Sequence, residues 1–275
     1  MDNLRIAFIG SGSMGSAVLD GLLAAGHPKL LISATTRTEA KAKALRDRGI
    51  SALAGETSPD ANALMAADAD LIVLGVKPYQ IVDVLTELKG EIGKNAVVIS
   101  MAAGIKLATM AAVLDENPNL IRTMPNTPSK IGLGVTGIAA GTRYTPAQLE
   151  LISSMFSTVG EVIILPENKI DALGSISGSG PAYVFYFIEQ LTEVALEHGF
   201  SAEQAEKMVQ GTFRGAVELL AQSGEEPAEL RRQVTSPKGS TERAIAVFDE
   251  ADIKDILLKG TQAAIARSEE MARGE

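Results

Sequence analysis

The residues able to do chemistry fall in a few short stretches. Gly10-Ser-Gly12-Ser-Met-Gly15 comes directly after the apolar run Ile6–Ile9 and opens a segment of helical period. In such a setting the first glycine permits a tight turn, the second lets a pyrophosphate approach the main chain, and the third lets strand and helix pack closely. Phosphate oxygens would then meet the N–H groups and the positive end of the helix. Gly and Ser also make ordinary turns, but this stretch stands between a strand and a helix with another strand candidate at Leu30–Ser33, which favours a dinucleotide site.

That second strand runs out into Ser33-Ala-Thr35-Thr36-Arg37-Thr38, with no carboxylate before Glu39. Sites for NAD usually place an acid there to bond the ribose 2′-hydroxyl. Hydroxyls and a guanidinium suit a 2′-phosphate instead, because arginine offers paired, charge-assisted donors. Arg37 could merely decorate a surface loop; its place at a strand exit favours the phosphate, and so NADP(H). Later strand exits bring Val76-Lys77-Pro78, Ala102-Ala103-Gly104 and Met124-Pro125-Asn126-Thr127-Pro128. Ligands of open α/β sheets lie beyond the carboxyl ends of the strands, so these turns are candidate walls of a site. Each alone could be ordinary loop punctuation. A last stretch, Val234-Thr-Ser236-Pro-Lys238-Gly239-Ser240-Thr241-Glu242, precedes a helical run. Its N–H groups could cradle a small carboxylate, and its Ser and Thr could equally be plain helix caps.

These groups need elements to hold them. Strand candidates are Arg5–Ile9, Leu30–Ser33, Leu71–Leu74, Ala96–Ser100, Leu120–Thr123, Gly134–Ala140 and Val162–Leu165, alternating with helical stretches such as Met14–Ala25, Glu39–Arg48, Gln80–Leu88 and Pro146–Val159. The alternation predicts an α/β domain over residues 1–165, a Rossmann-like, doubly wound sheet of parallel strands with crossover helices. After Pro166 the strand signal stops, and Lys169–Gly174, Pro181–His198, Ala202–Ser223, Ala228–Val234, Thr241–Glu250 and Asp252–Arg273 are helical by period. Residues 166–275 therefore read as an all-helical domain. Its helix from Pro181 begins Ala-Tyr-Val-Phe-Tyr-Phe-Ile, apolar almost all round, and must be buried on several sides. Either its own domain covers it or a second subunit does.

Bulk properties narrow the classes. The chain of 275 residues carries a formal charge of −9, and its Lys and Arg form no concentrated face, which argues against a nucleic-acid partner. With no cysteine it has no disulfide, thiol nucleophile or thiolate metal site, and no metal is expected. No run approaches the roughly 20 apolar residues of a membrane span, and the start lacks the apolar core of a secretory signal. The expectation is a soluble, cytoplasmic protein.

In order along essentially the whole chain, these motifs together with Gly174-Ser-Ile-Ser-Gly178-Ser-Gly180-Pro181-Ala-Tyr183 resemble the pyrroline-5-carboxylate reductases. The resemblance implies NADPH-dependent reduction of Δ1-pyrroline-5-carboxylate to L-proline, the last step of proline synthesis, with NADH as a further possible donor. It implies that Ser11, Ser13 and Met14 touch the cofactor alongside Gly10, Gly12 and Gly15, that Asn62 helps hold its 2′-phosphate end, and that Val76, Lys77 and Ala103 line its ribose and nicotinamide; Thr35, Thr36, Arg37, Pro78, Ala102, Gly104 and Asn126 complete the expected cofactor-binding set. Glu167, Ser236, Gly239, Ser240 and Thr241 would surround the substrate, in a pocket completed across a homodimer formed by the C-terminal helices; many family members assemble further into rings of dimers. Thr241 is assigned the catalytic hydrogen bond to the ring nitrogen, and no general acid stands out. Lys238 departs from the glycine expected there, which bears on the shape of that turn. The β-hydroxyacid dehydrogenases are the nearest rival, but they carry a catalytic lysine on a helix whose counterpart here, from Pro181, begins with no lysine. Against a non-catalytic NADPH-binding regulator stand Ser236, Gly239 and Thr241.

Overall fold

The computed structural model describes residues 3–115 and 119–272. Apolar β-formers build the first strands, β1 (Ile6–Ile9), β2 (Ile32–Thr36), β3 (Ser51–Ala54), β4 (Leu71–Leu74) and β5 (Val97–Ser100), followed by β6 (Asn119–Met124), β7 (Gly134–Ala140) and β8 (Gly160–Ile164). Between them lie α1 (Ser13–Ala24), α2 (Glu39–Asp47), α3 (Ala61–Ala66), α4 (Ile81–Leu88), α5 (Leu107–Val113) and α6 (Pro146–Ser157). Then come α7 (Ile170–Leu173), α8 (Gly180–Glu197), α9 (Ala202–Ser223), α10 (Pro227–Gln233), α11 (Ser240–Glu250) and α12 (Ile253–Ala272). The expected end of the last helix, Arg273, lies outside the described residues.

The strands form one sheet in the order β3-β2-β1-β4-β5-β6-β7-β8. All neighbours are parallel except β6 and β7. That reversal follows from the link: residues 125–133 carry a 3₁₀ turn closed by Gly132 at φ 76°, too short for the helical crossover a parallel return requires. Strand residues alternate between two cores, the signature of a sheet covered on both faces. Ile6, Phe8, Leu71, Val73, Val97 and Ile99 pack with α1, α2 and α6 through Leu19, Leu45 and Phe156. On the other face Ile9, Ile72, Leu74 and Val98 pack with α3, α4 and α5 through Ala66, Leu85 and Met110. The doubly wound expectation is thus met.

Two compact units result, one running to Ser179 and resuming at Ala263, the other spanning Gly180–Gln262. The second is helical throughout, with α8 packed on α9. Yet its buried apolar side chains are Ala195, Ala205 and Val209 alone among the described residues, while Phe185, Tyr186, Phe187, Leu191, Met208, Leu219 and Phe248 are exposed. Of the two readings of the apolar helix from Pro181, burial within its own domain is therefore not what the fold provides. No helix among the described residues is long and apolar enough to cross a membrane.

Candidate active site

The turn after β1 is held by three hydrogen bonds from its own backbone N–H groups. Gly10 N–H donates to Thr35 Oγ1 at 2.9 Å, Ser11 N–H to the Thr35 carbonyl at 2.7 Å, and Gly12 N–H to the Gly10 carbonyl at 2.8 Å. Gly10 takes φ 80°, and a Cβ there would lie 2.4 Å from Val76 Cγ1, so no larger residue fits between the ends of β1 and β4. Above Gly12 the space is open, since a Cβ would meet only the Gly75 carbonyl oxygen, at 3.8 Å. The following α1 has no side-chain cap and no acid in its first turn. Helix starts leave N–H groups without intrahelical acceptors, so this one offers donors and a positive end to an anion. Ser13 and Gly12 are exposed there, Met14 is half-buried, and Ser11 and Gly15 are buried. The residues present fit a pyrophosphate.

At the exit of β2, Thr35 and Thr36 are buried and their hydroxyls are engaged, Thr35 by Gly10 and Thr36 by donation to the Thr38 carbonyl at 2.9 Å. Arg37 is exposed, and among the described residues no carboxylate forms an ion pair with it. Asn62, half-buried near the start of α3, donates to Glu87 Oε2 at 2.8 Å. The other strand exits line the same edge of the sheet. Lys77 is exposed and its N–H donates to Gln80 Oε1 at 3.2 Å, setting Pro78 at the head of a 3₁₀ turn. Ala102 N–H donates to Ser100 Oγ at 3.2 Å, and Gly104 turns the chain at φ 76°. Ala103 borders a cavity of about 120 Å³ shared with Met124, Asp171, Ser175 and Ser268. Asn126 is committed on both sides, its oxygen accepting from Val135 N–H at 2.8 Å and its amide donating to the Ser177 carbonyl at 3.0 Å. That bond pins a π-helical turn, Gly174–Gly178, within the Gly/Ser-rich segment. Turns of this type often mark functional sites.

Within the helical unit, Gly239 caps α11 and its N–H donates to the Ser236 carbonyl at 2.9 Å. Ser236, Ser240 and Thr241 are exposed, so the turn presents hydroxyls and the first N–H groups of an eleven-residue helix (Ser240–Glu250). Lys238 holds φ 61°, a left-handed conformation that explains why a glycine is expected there, and its N–H donates to Glu242 Oε2 at 2.8 Å. The turn keeps its shape at a cost in strain.

Comparison with known proteins decides the family. Residues 167–271 match a family model described as pyrroline-5-carboxylate reductase dimerisation, and residues 5–104 match one described as NADP oxidoreductase, coenzyme F420-dependent. A pyrroline-5-carboxylate reductase of Corynebacterium melassecola is 38% identical over 98% of both chains. The chain belongs to the pyrroline-5-carboxylate reductase family. Among solved structures, a pyrroline-5-carboxylate reductase from Coxiella burnetii is similar at TM-score 0.90 and 34% identity, covering 98% of each chain. A Plasmodium falciparum pyrroline carboxylate reductase with NADP bound is similar at TM-score 0.86 and 25% identity, covering 99% of each. The C-terminal region of this family member is an oligomerisation domain, in keeping with its exposed apolar helices.

Sequence reasoning about this reductase-family chain missed one buried cluster. Arg122, in mid-β6 and 1% exposed, places Nη2 2.6 Å from Asp171 Oδ1 and Nη1 3.6 Å from Glu167 Oε1. Glu167 Oε1 also accepts the Leu107 N–H at 2.6 Å, capping α5 just beyond the Ala102–Gly104 loop. Ser268 Oγ donates to the same Asp171 oxygen at 3.4 Å. The signal was present: Leu120-Ile-Arg122-Thr places a cation inside an apolar strand, which demands a buried counterion.

Proposed function

We propose that this chain reduces Δ1-pyrroline-5-carboxylate to L-proline with NADPH, as the names of its relatives indicate for them. The observation that carries the reading is the Gly10 turn opening onto an uncapped α1, in a chain that matches the family end to end. On this reading residues up to about 165 bind the cofactor, and 166–275 bind substrate and form a homodimer, with rings of dimers beyond it; the cytoplasm is its compartment. Gly12, Ser13 and the first N–H groups of α1 take the pyrophosphate, Arg37 takes the 2′-phosphate with Asn62 beside it, and Val76, Lys77 and the Ala102–Gly104 loop flank the nicotinamide.

The cofactor, when bound, supplies a hydride to the ring carbon of the imine and leaves as NADP⁺. The C=N electron pair moves to nitrogen, which as the protonated iminium needs no further acid to become the amine. The protein's task is then alignment of reacting atoms at about 3–3.5 Å. The Ser236–Thr241 turn holds the carboxylate by N–H groups and hydroxyls, and Thr241 bonds the ring nitrogen to fix the face presented. Glu167 is proposed near the substrate, in addition to its bonds to Leu107 and Arg122.

The test is direct. Purified protein mixed with pyrroline-5-carboxylate should oxidise NADPH, followed by absorbance, and form proline; turnover of a hydroxyacid in its place would remove the reading. Thr241→Ala should lower kcat about 10- to 100-fold with little change in NADPH affinity. Equal loss of both would contradict the role given to Thr241.

A further inference from the structure

At the cofactor's 2′ end the fold supplies a carboxylate that the second strand itself lacks. The chain leaving β3 runs beside the exit of β2: Gly55 N–H donates to the Thr36 carbonyl at 2.9 Å and Glu56 N–H to the Arg37 carbonyl at 3.3 Å. This folds the Glu56 side chain onto the start of α2, where its Oε1 accepts the N–H of Glu39. Two carboxylates, Glu39 and Glu56, therefore lie at the start of α2 next to the Arg37 main chain, but they are not alike. Glu39 is neutralised by an ion pair with Arg46 and also receives Thr57 Oγ1 at 3.5 Å. Glu56 forms no ion pair with a lysine or arginine among the described residues. A carboxylate without an ion-pair partner among the described residues thus occupies the start of α2, beside the main chain of Arg37, the residue assigned to the 2′-phosphate.

We propose that Glu56 is a specificity-determining residue that tempers the preference for NADPH over NADH. This rests on the reading of the Thr36–Thr38 loop as the 2′ end of the site. A 2′-phosphate arriving at Arg37 meets the Glu56 carboxylate within reach of Coulomb repulsion and competes with it for the start of α2. A free ribose 2′-hydroxyl meets an acceptor, the role that an acid at the end of β2 plays in NAD-preferring sites. Here that acid is delivered from the neighbouring strand, so Arg37 and Glu56 pull the selectivity in opposite directions.

Glu56→Gln tests the charge without removing the acceptor for Glu39 N–H. Binding of 2′,5′-ADP and of 5′-ADP is measured by calorimetry on the intact protein, alongside kcat and KM for NADPH and NADH. The expected result is about three- to tenfold tighter 2′,5′-ADP binding and a matching fall in KM for NADPH. KM for NADH should be unchanged or higher, kcat should not move, and the gain should shrink in about 0.5 M salt. Unchanged selectivity, or an equal effect on both nucleotides, overturns the inference. Arg37→Met separates the two levels: if it fails to weaken 2′,5′-ADP binding, the loop does not hold the phosphate and the site reading falls with the inference. If it weakens 2′,5′-ADP while Glu56→Gln gains nothing, only the inference falls.

Discussion

Replacing Arg122 with methionine should be among the most damaging single changes in the sheet domain, and for reasons of charge rather than volume. The cation is almost fully buried and is shared between Asp171 and Glu167, whose side chains are 20% and 30% exposed. Its Nε finds no acceptor among the described residues, so the cluster is not fully satisfied even when intact. Burying such a group gains little net stability; removing one partner is costly, because the remaining charges stay desolvated and unpaired. A loss of about 3–5 kcal/mol is expected. In a chain of this size that corresponds to a fall of roughly 6–20 °C in Tm. Differential scanning fluorimetry of purified variants measures it. The decisive comparison is the triple variant Arg122→Met, Glu167→Gln, Asp171→Asn. It keeps an acceptor for Leu107 N–H and for Ser268 Oγ while removing every charge. It should recover more than half of the lost stability. If it is no more stable than Arg122→Met, unpaired charge is not the cause and the reasoning fails.

Gly10→Ala forces a Cβ against Val76 and imposes φ 80° on a residue that resists it; a loss of order 2 kcal/mol and at least about tenfold weaker NADPH binding are expected, by thermal melting and calorimetry. Lys238→Gly should raise stability by about 1 kcal/mol with activity retained, since a left-handed lysine is strained while glycine costs only chain entropy. The Glu229 carboxyl is held down to about 2, from an ordinary 4.5, by its hydrogen bonds to Arg232 and then Gln233. Its stabilising effect is therefore present above pH 4.5 and lost as pH falls through about 2. Any Tm difference between the wild type and Glu229→Gln at pH 7 should vanish at pH 2, and salt should reduce it at pH 7.

Elements that are long, or whose residues are large and apolar, were legible in the sequence. Leu71–Leu74, Gly134–Ala140 and Ala202–Ser223 stand in the structure where periodicity places them. Short ones rich in alanine were not: β3 is Ser-Ala-Leu-Ala and α3 is Ala-Asn-Ala-Leu-Met-Ala, too brief for either period to emerge, and α5 has only seven residues. The strand read as Leu30–Ser33 begins later, at Ile32, because Pro28 starts a 3₁₀ turn over Lys29–Leu31. The same blindness hid Glu56. With β3 unseen, nothing in the linear order could bring a residue beyond it beside Arg37. Lys238 is the converse case, where an unexpected residue in a motif flagged a backbone position that the fold does hold left-handed.

The two units differ in how much of their order they supply for themselves. The sheet domain closes two cores over both faces, so the Gly10 turn and the strand exits around it are fixed by side chains of the same chain. The helical unit buries three apolar side chains among its described residues and exposes the aromatic run of α8. Burial at about 25 cal/mol per Å² cannot offset the ordering entropy of so many residues without further covered surface. That surface must come from association through this region. On the proposed function, nucleotide binding by the sheet domain should therefore be indifferent to assembly, whereas turnover should require the helical unit to be covered. Dilution below the dissociation constant of the assembly should accordingly abolish turnover while NADPH binding persists, and loss of both in parallel would mean that the sheet domain also depends on its neighbours.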